Sequence, residues 1–110
     1  MSGIKKSQWV ESLRDFSYRN ASRRARIEFD RSGAGRDVRA VADRLSLRGV
    51  AYDPRDDRIE IMVGPLLGTA GHLTHSICSP TSIDLVSDEE GADEALWVEE
   101  RDGGTLLTLL

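Results

Sequence analysis

Residues 47–63 read LRGVAYDPRDDRIEIMV, and this stretch decides the fold. Two runs, Leu47 to Tyr52 and Arg58 to Val63, flank Asp53-Pro54-Arg55-Asp56-Asp57. Pro54 presets a turn dihedral, and aspartate side chains bond nearby backbone amides, so the five residues predict the tip of a β-hairpin. Ile59, Ile61 and Val63 alternate with Arg58, Glu60 and Met62, which gives the second strand one core face and one solvated face.

Upstream, Ser7 to Asn20 predict an amphipathic helix, because Trp9, Leu13 and Phe16 recur at helical spacing and Val10 widens the stripe. Ser7 is the expected cap, although the glutamate of a capping box falls one place late, at Glu11. The period then changes. Ala25, Ile27 and Phe29 alternate with Arg24, Arg26 and Glu28, the pattern of a strand with a basic outer face. Ser32 to Gly35 predict a turn. Val38 to Leu45 fit either period and are read as a strand, a hairpin partner of the one before.

Downstream, Gly64 to Pro80 lose the alternation and are expected to form a loop ending in a short helical turn over His72 to Cys78. Strands return at Ile83 to Val86, Ala95 to Glu100 and Thr105 to Leu109, the last two joined by the turn dipeptide Asp102-Gly103. The expectation is a single α+β domain over residues 1–110, with residues 1–6 flexible. Its N-terminal amphipathic helix packs on a mostly antiparallel sheet of five or six strands.

With 110 residues, 39% apolar and 31% charged, the chain can bury its own core without disulfides or metals. No apolar run approaches the ~20 residues of a membrane-spanning helix, so no membrane is expected among its partners. The single Cys78 and the lack of a leader pattern lead to the expectation of a cytoplasmic protein. Charge is divided along the chain. Residues 1–58 hold 14 basic and 9 acidic side chains, net +5, and residues 59–110 hold 1 and 10, net −9. A dipolar surface of this kind steers charged partners or self-associates, while the net charge of −4 disfavours nonspecific nucleic-acid binding.

Several stretches also carry a family resemblance. They are the Trp9, Leu13, Phe16, Asn20 pattern, the LRGVAYDPRDD run with Ile59-Glu60-Ile61, His75-Ser76-Ile77-Cys78-Ser79-Pro80 before Ile83, and Leu96-Trp97-Val98-Glu99-Glu100 with Asp102-Gly103. From Trp9 to Leu110 the chain resembles a family of short bacterial proteins numbered 5335 among the domains of unknown function. The resemblance implies a small stand-alone domain with no assigned activity and no catalytic residues to carry over.

Three clusters are candidates for chemistry. His72, His75 and Cys78 at i, i+3 and i+6 have donors for a divalent metal, with Asp56 or Asp57 in support of a hydrolytic site. The competing reading puts His75 in a loop contact and Ile77 and Cys78 in the core, and no cofactor is otherwise implied. A Cys78, His75, Asp57 nucleophilic set is disfavoured by its spacing. Asp53, Asp56 and Asp57 can hold a cation, but aspartates beside a proline ordinarily serve the turn. Arg23, Arg24 and Arg26, within the basic region Arg19 to Arg31, can meet an acidic protein or phosphates. Gly64, Gly68 and Gly71 lack the Lys-Ser or Lys-Thr of a phosphate loop.

Trp97 either completes the core or marks a contact patch, and the terminal strand is apolar on both sides, with Leu106 and Leu110 on one and Leu107 and Leu109 on the other. The preferred reading is therefore a non-enzymatic module that binds protein, including itself as a homodimer, through Arg23, Arg24, Arg26, Trp97 and Leu107. Metal chemistry at His72, His75 and Cys78 is the alternative, and nucleic-acid binding through Arg19 to Arg31 the weaker one.

Overall fold

A computed structural model describes residues 4–31, 38–65 and 71–110. Among these residues one α-helix, α1 (Trp9–Asn20), precedes seven strands: β1 (Arg24–Asp30), β2 (Val38–Asp53), β3 (Arg58–Gly64), β4 (Leu73–Cys78), β5 (Ser82–Ser87), β6 (Asp93–Glu100) and β7 (Gly103–Leu109). All lie in one antiparallel sheet of order β4-β3-β2-β1-β7-β6-β5. The expected α+β class holds, and the strand count is seven rather than five or six.

The two strands at the edges of this sheet are consecutive in the chain, joined only by Ser79, Pro80 and Thr81. Such a link spans at most about 14 Å from Cys78 to Ser82. A flat sheet would hold its outermost strands about 29 Å apart at ~4.8 Å per step, so this one must roll up. The result is an up-and-down barrel left open between β4 and β5.

Bulges supply the curvature. Around Ile27, β2 carries one extra residue between the pairs Ala25–Leu45 and Ile27–Ala42 and another between Ile27–Ala42 and Glu28–Ala40, and Arg44 adopts a left-handed φ of 59°. A further shift at Arg48 separates the pairs Leu47–Val63 and Gly49–Met62. These bulges reset which β2 residues point inward, so Ala42, Leu47, Val50 and Tyr52 are buried without strict alternation.

The helix begins differently from expectation. Ser7 lies inside a 3-10 turn, Lys6–Gln8, and no side chain caps α1. Residues 1–3 of the expected flexible terminus lie outside the described residues. From Ile4 the chain is tied down, since Trp9 Nε1 donates to the Ile4 carbonyl at 3.0 Å and Ile4 packs on the core. Trp9, Leu13 and Phe16 are buried as predicted, and α1 ends at Asn20, but Val10 is 40% exposed.

Side-chain hydrogen bonds fix α1 against the barrel. Beyond Ser46, β2 no longer pairs with β1, and α1 lies along the freed edge. There the Ser17 hydroxyl accepts from Val50 N–H at 2.8 Å and bonds the Val50 carbonyl at 3.0 Å, standing in for a neighbouring strand. At the helix end, Asp93 accepts from Arg19 Nε at 2.7 Å and from Asn20 Nδ2 at 2.8 Å. Arg23 closes this cluster by donating to Asn20 Oδ1 and to the Asp93 carbonyl, both at 3.0 Å.

One segment departs from the sequence reading. Residues 72–78 form no helical turn; Leu73–Cys78 is the edge strand β4, with Leu73, His75 and Ile77 turned inward and Thr74, Ser76 and Cys78 exposed. Val38 to Leu45 is a strand paired with β1, as expected, and runs on without a break into Leu47 to Tyr52. The turn expected at Ser32 to Gly35 lies outside the described residues, as does Gly68.

Candidate functional site

The metal candidates do not share a face. His72 precedes β4 and is exposed, His75 points into the barrel, and Cys78 is exposed rather than buried in the core. His75 Nε2 lies 3.1 Å from Thr105 Oγ1, and its ring tilts against Phe29 at 6.4 Å between centroids. Burial holds the His75 pKa below the ordinary histidine value. Among the described residues, no group of three or more His, Cys, Asp or Glu side chains is placed to hold a metal.

The hairpin aspartates serve the turn and the helix. Asp53 Oδ1 accepts from Arg55 N–H at 2.9 Å, and Asp56 lies 3.5 Å from Arg58. Asp57, with φ 49°, accepts from the Tyr52 hydroxyl at 2.6 Å and pairs with Lys6 at 3.0 Å. These two partners hold its carboxyl below the usual range, the tyrosine bond being the larger cause. Lys6 also sits over the Trp9 ring, 5.4 Å from its centroid, so the hairpin tip is latched to the start of α1.

The arginines of the basic region are largely engaged within the molecule. Arg23 bonds Asn20 and Asp93, Arg24 reaches the Arg44 carbonyl at 3.4 Å, and Arg26 pairs with Asp43 at 3.0 Å. Leu107, expected at a contact surface, is fully buried and faces the interior. Trp97 lies half-buried on the outer face opposite Leu106, its ring spread over Gly104, where an added Cβ would come within 2.2 Å of it. Trp97 thereby covers part of the outer side of β7.

A different place on the surface has the form of a binding site. Between α1 and the outer face of β2 and β3 lies an open groove of about 420 Å3. Gly49, Ala51 and Met62 form its floor, and Val10, Tyr18 and Arg14 from α1 form one wall. Tyr18 is 81% exposed, a large aromatic ring offered to solvent. Among the described residues no carboxylate lines the groove, while Arg14 and Arg48 both do. Arg14 makes no ion pair among the described residues, and Arg48 donates to the Pro65 carbonyl.

The local sequence explains this groove. Gly49 and Ala51 put almost no side chain on the outer face, and Met62 pairs with Gly49 across the β2–β3 ladder. A second hollow of about 370 Å3, lined by His72, Leu73 and Thr74, shares Arg48 and Met62 with the first. The two hollows adjoin at these two side chains. The sequence reading missed this site, although three signals pointed to it. Val10 sits one place off the buried stripe, Met62 is the lone apolar residue on an otherwise charged strand face, and Tyr18 follows the polar side of α1.

No described helix is long and apolar enough to cross a membrane. Residues 1–110, the whole chain, match the model of a family of unknown function (DUF5335). No curated protein and no solved structure matches the chain.

Proposed function

The chain belongs to this family of unknown function, and from that premise we propose that it is a non-enzymatic protein-interaction module whose docking surface is the groove between α1 and β2. The observation that carries the reading is the apolar, carboxylate-free groove walled by exposed Val10 and Tyr18 and flanked by Arg14 and Arg48. Exposed aromatic and arginine side chains around an apolar floor are the residue types on which protein interfaces concentrate their binding energy. The chemistry selects a segment with apolar side chains flanked by carboxylates. Glycine and alanine in the floor admit a partner backbone closely.

The test is a photo-crosslinking amino acid at position 10, expressed in the source cells. It should capture a defined protein segment, and capture should fail when Gly49→Trp fills the groove. Equal labelling by a probe placed at the exposed Arg101, on the β6–β7 turn outside the groove, would contradict the reading.

A further inference from the structure

We infer that the occupant of the groove is the β5–β6 turn of a second copy of this chain, docked reciprocally in a two-fold dimer; this rests on the docking reading given above. The turn carries the charge that the groove lacks. Asp88, Glu89 and Glu90 project at its tip, and Val86, 41% exposed, lies at its base. Glu89 and Glu90 make no ion pair among the described residues.

The tip is also rigid. Asp88 N–H donates to the Ala92 carbonyl at 2.8 Å, and Asp88 Oδ1 accepts from Glu90 N–H at 2.8 Å and Ala92 N–H at 3.0 Å. Gly91 completes the turn with φ 86°. Asp88 is therefore spent on shaping the turn, which leaves Glu89 and Glu90 as the presented carboxylates. A preordered tip loses little conformational entropy on docking.

Placement favours reciprocity. Asp93, at the start of β6, is bonded to Arg19 and Asn20 at the end of α1, so the tip stands beside the helix that walls the groove. Two chains related by a two-fold axis can each give a tip and receive one, which closes the assembly instead of extending it into a filament. Exposed ion pairs are individually weak and are screened beyond about 8 Å at physiological ionic strength, so the dimer is expected to be salt-sensitive.

Sedimentation equilibrium of the full chain tests this directly. The wild type should dimerise with rising concentration and dissociate at high salt. Arg14→Glu with Arg48→Glu, and separately Glu89→Lys with Glu90→Lys, should each weaken the dimer by about tenfold or more. Mixing the two double variants should restore it, because both contacts of the mixed pair are again complementary. Circular dichroism matching the wild type shows that each variant is folded. A wild type that stays monomeric, or a dimer insensitive to both reversals, overturns the proposal. If the probe at Val10 then captures a different protein, self-docking alone has failed; if it captures nothing, the docking reading has failed with it.

Discussion

His75 Nε2 lies 3.1 Å from Thr105 Oγ1, although β4 and β7 stand four strands apart in the hydrogen-bonded order. On a flat sheet that separation would be about 19 Å. The contact therefore measures how far the sheet has rolled, and it places a polar pair across an interior filled mainly by apolar side chains.

Burial lowers the His75 pKa, so the folded state favours the neutral ring. The stability this contributes is complete above the unfolded value of 6.5 and is lost as pH falls through the folded one. A proton NMR titration should place His75 below 6.5, and His75→Gln should reduce the fall in urea stability between neutral and mildly acid pH. A His75 titration at or above 6.5 would contradict the buried placement.

Ser17 accepts from the Val50 N–H at 2.8 Å and shares its one hydroxyl proton between the Leu13 carbonyl at 2.7 Å and the Val50 carbonyl at 3.0 Å. Ser17→Ala should leave both Val50 groups without this partner and cost about 1–3 kcal/mol in urea denaturation. A loss under about 0.5 kcal/mol, the scale of an ordinary surface change, would show that water replaces the hydroxyl.

Asp93 gathers Arg19 and Asn20, with its side chain only 10% exposed. The bond from Arg19 is the larger cause of its lowered pKa, so its stabilising effect is present above 3.8 and is lost as pH falls through the folded value. Asp93→Ala should destabilise by roughly 1–3 kcal/mol, with the loss shrinking at acid pH. A pH-independent loss would mean that packing, not charge, holds the cluster.

Gly103 and Gly104 separate two kinds of crowding. A Cβ on Gly103 would lie 2.2 Å from the Asp30 carbonyl oxygen, in a backbone conformation with φ 150°. On Gly104 the nearest atoms it would meet belong to the Trp97 side chain on the outer face, not to backbone. Alanine at Gly103 should therefore cost more than the roughly 1–3 kcal/mol of a typical overpacked site, and alanine at Gly104 less, with a shift in tryptophan fluorescence. The reverse order would contradict these placements.

The helix stripe Trp9, Leu13, Phe16 and the Tyr52 to Arg58 hairpin were legible because both depend on neighbours close in sequence. Both halves of β2 were legible as strands, but the bulges at Arg44 and Arg48 interrupt the alternation and hid that they are one. β4 was hidden because an inward position carries His75 instead of an aliphatic residue, so polar side chains appeared to fill both faces. The rolling of the sheet depends on β1 pairing with β7, far apart in the chain, and no local pattern encodes it. The groove escaped notice for the same reason: Val10, Tyr18, Arg48 and Met62 come from three elements and meet only after folding.

The central claim, an occupied groove between α1 and β2, is tested most directly at Met62, one of only two methionines in the chain. A 13C-methyl methionine spectrum recorded at rising protein concentration reads the groove floor. The Met62 resonance should shift along the monomer–dimer equilibrium and stay fixed in the Arg14→Glu, Arg48→Glu variant. A Met62 resonance that does not move while the wild type dimerises would place the interface elsewhere and contradict the account.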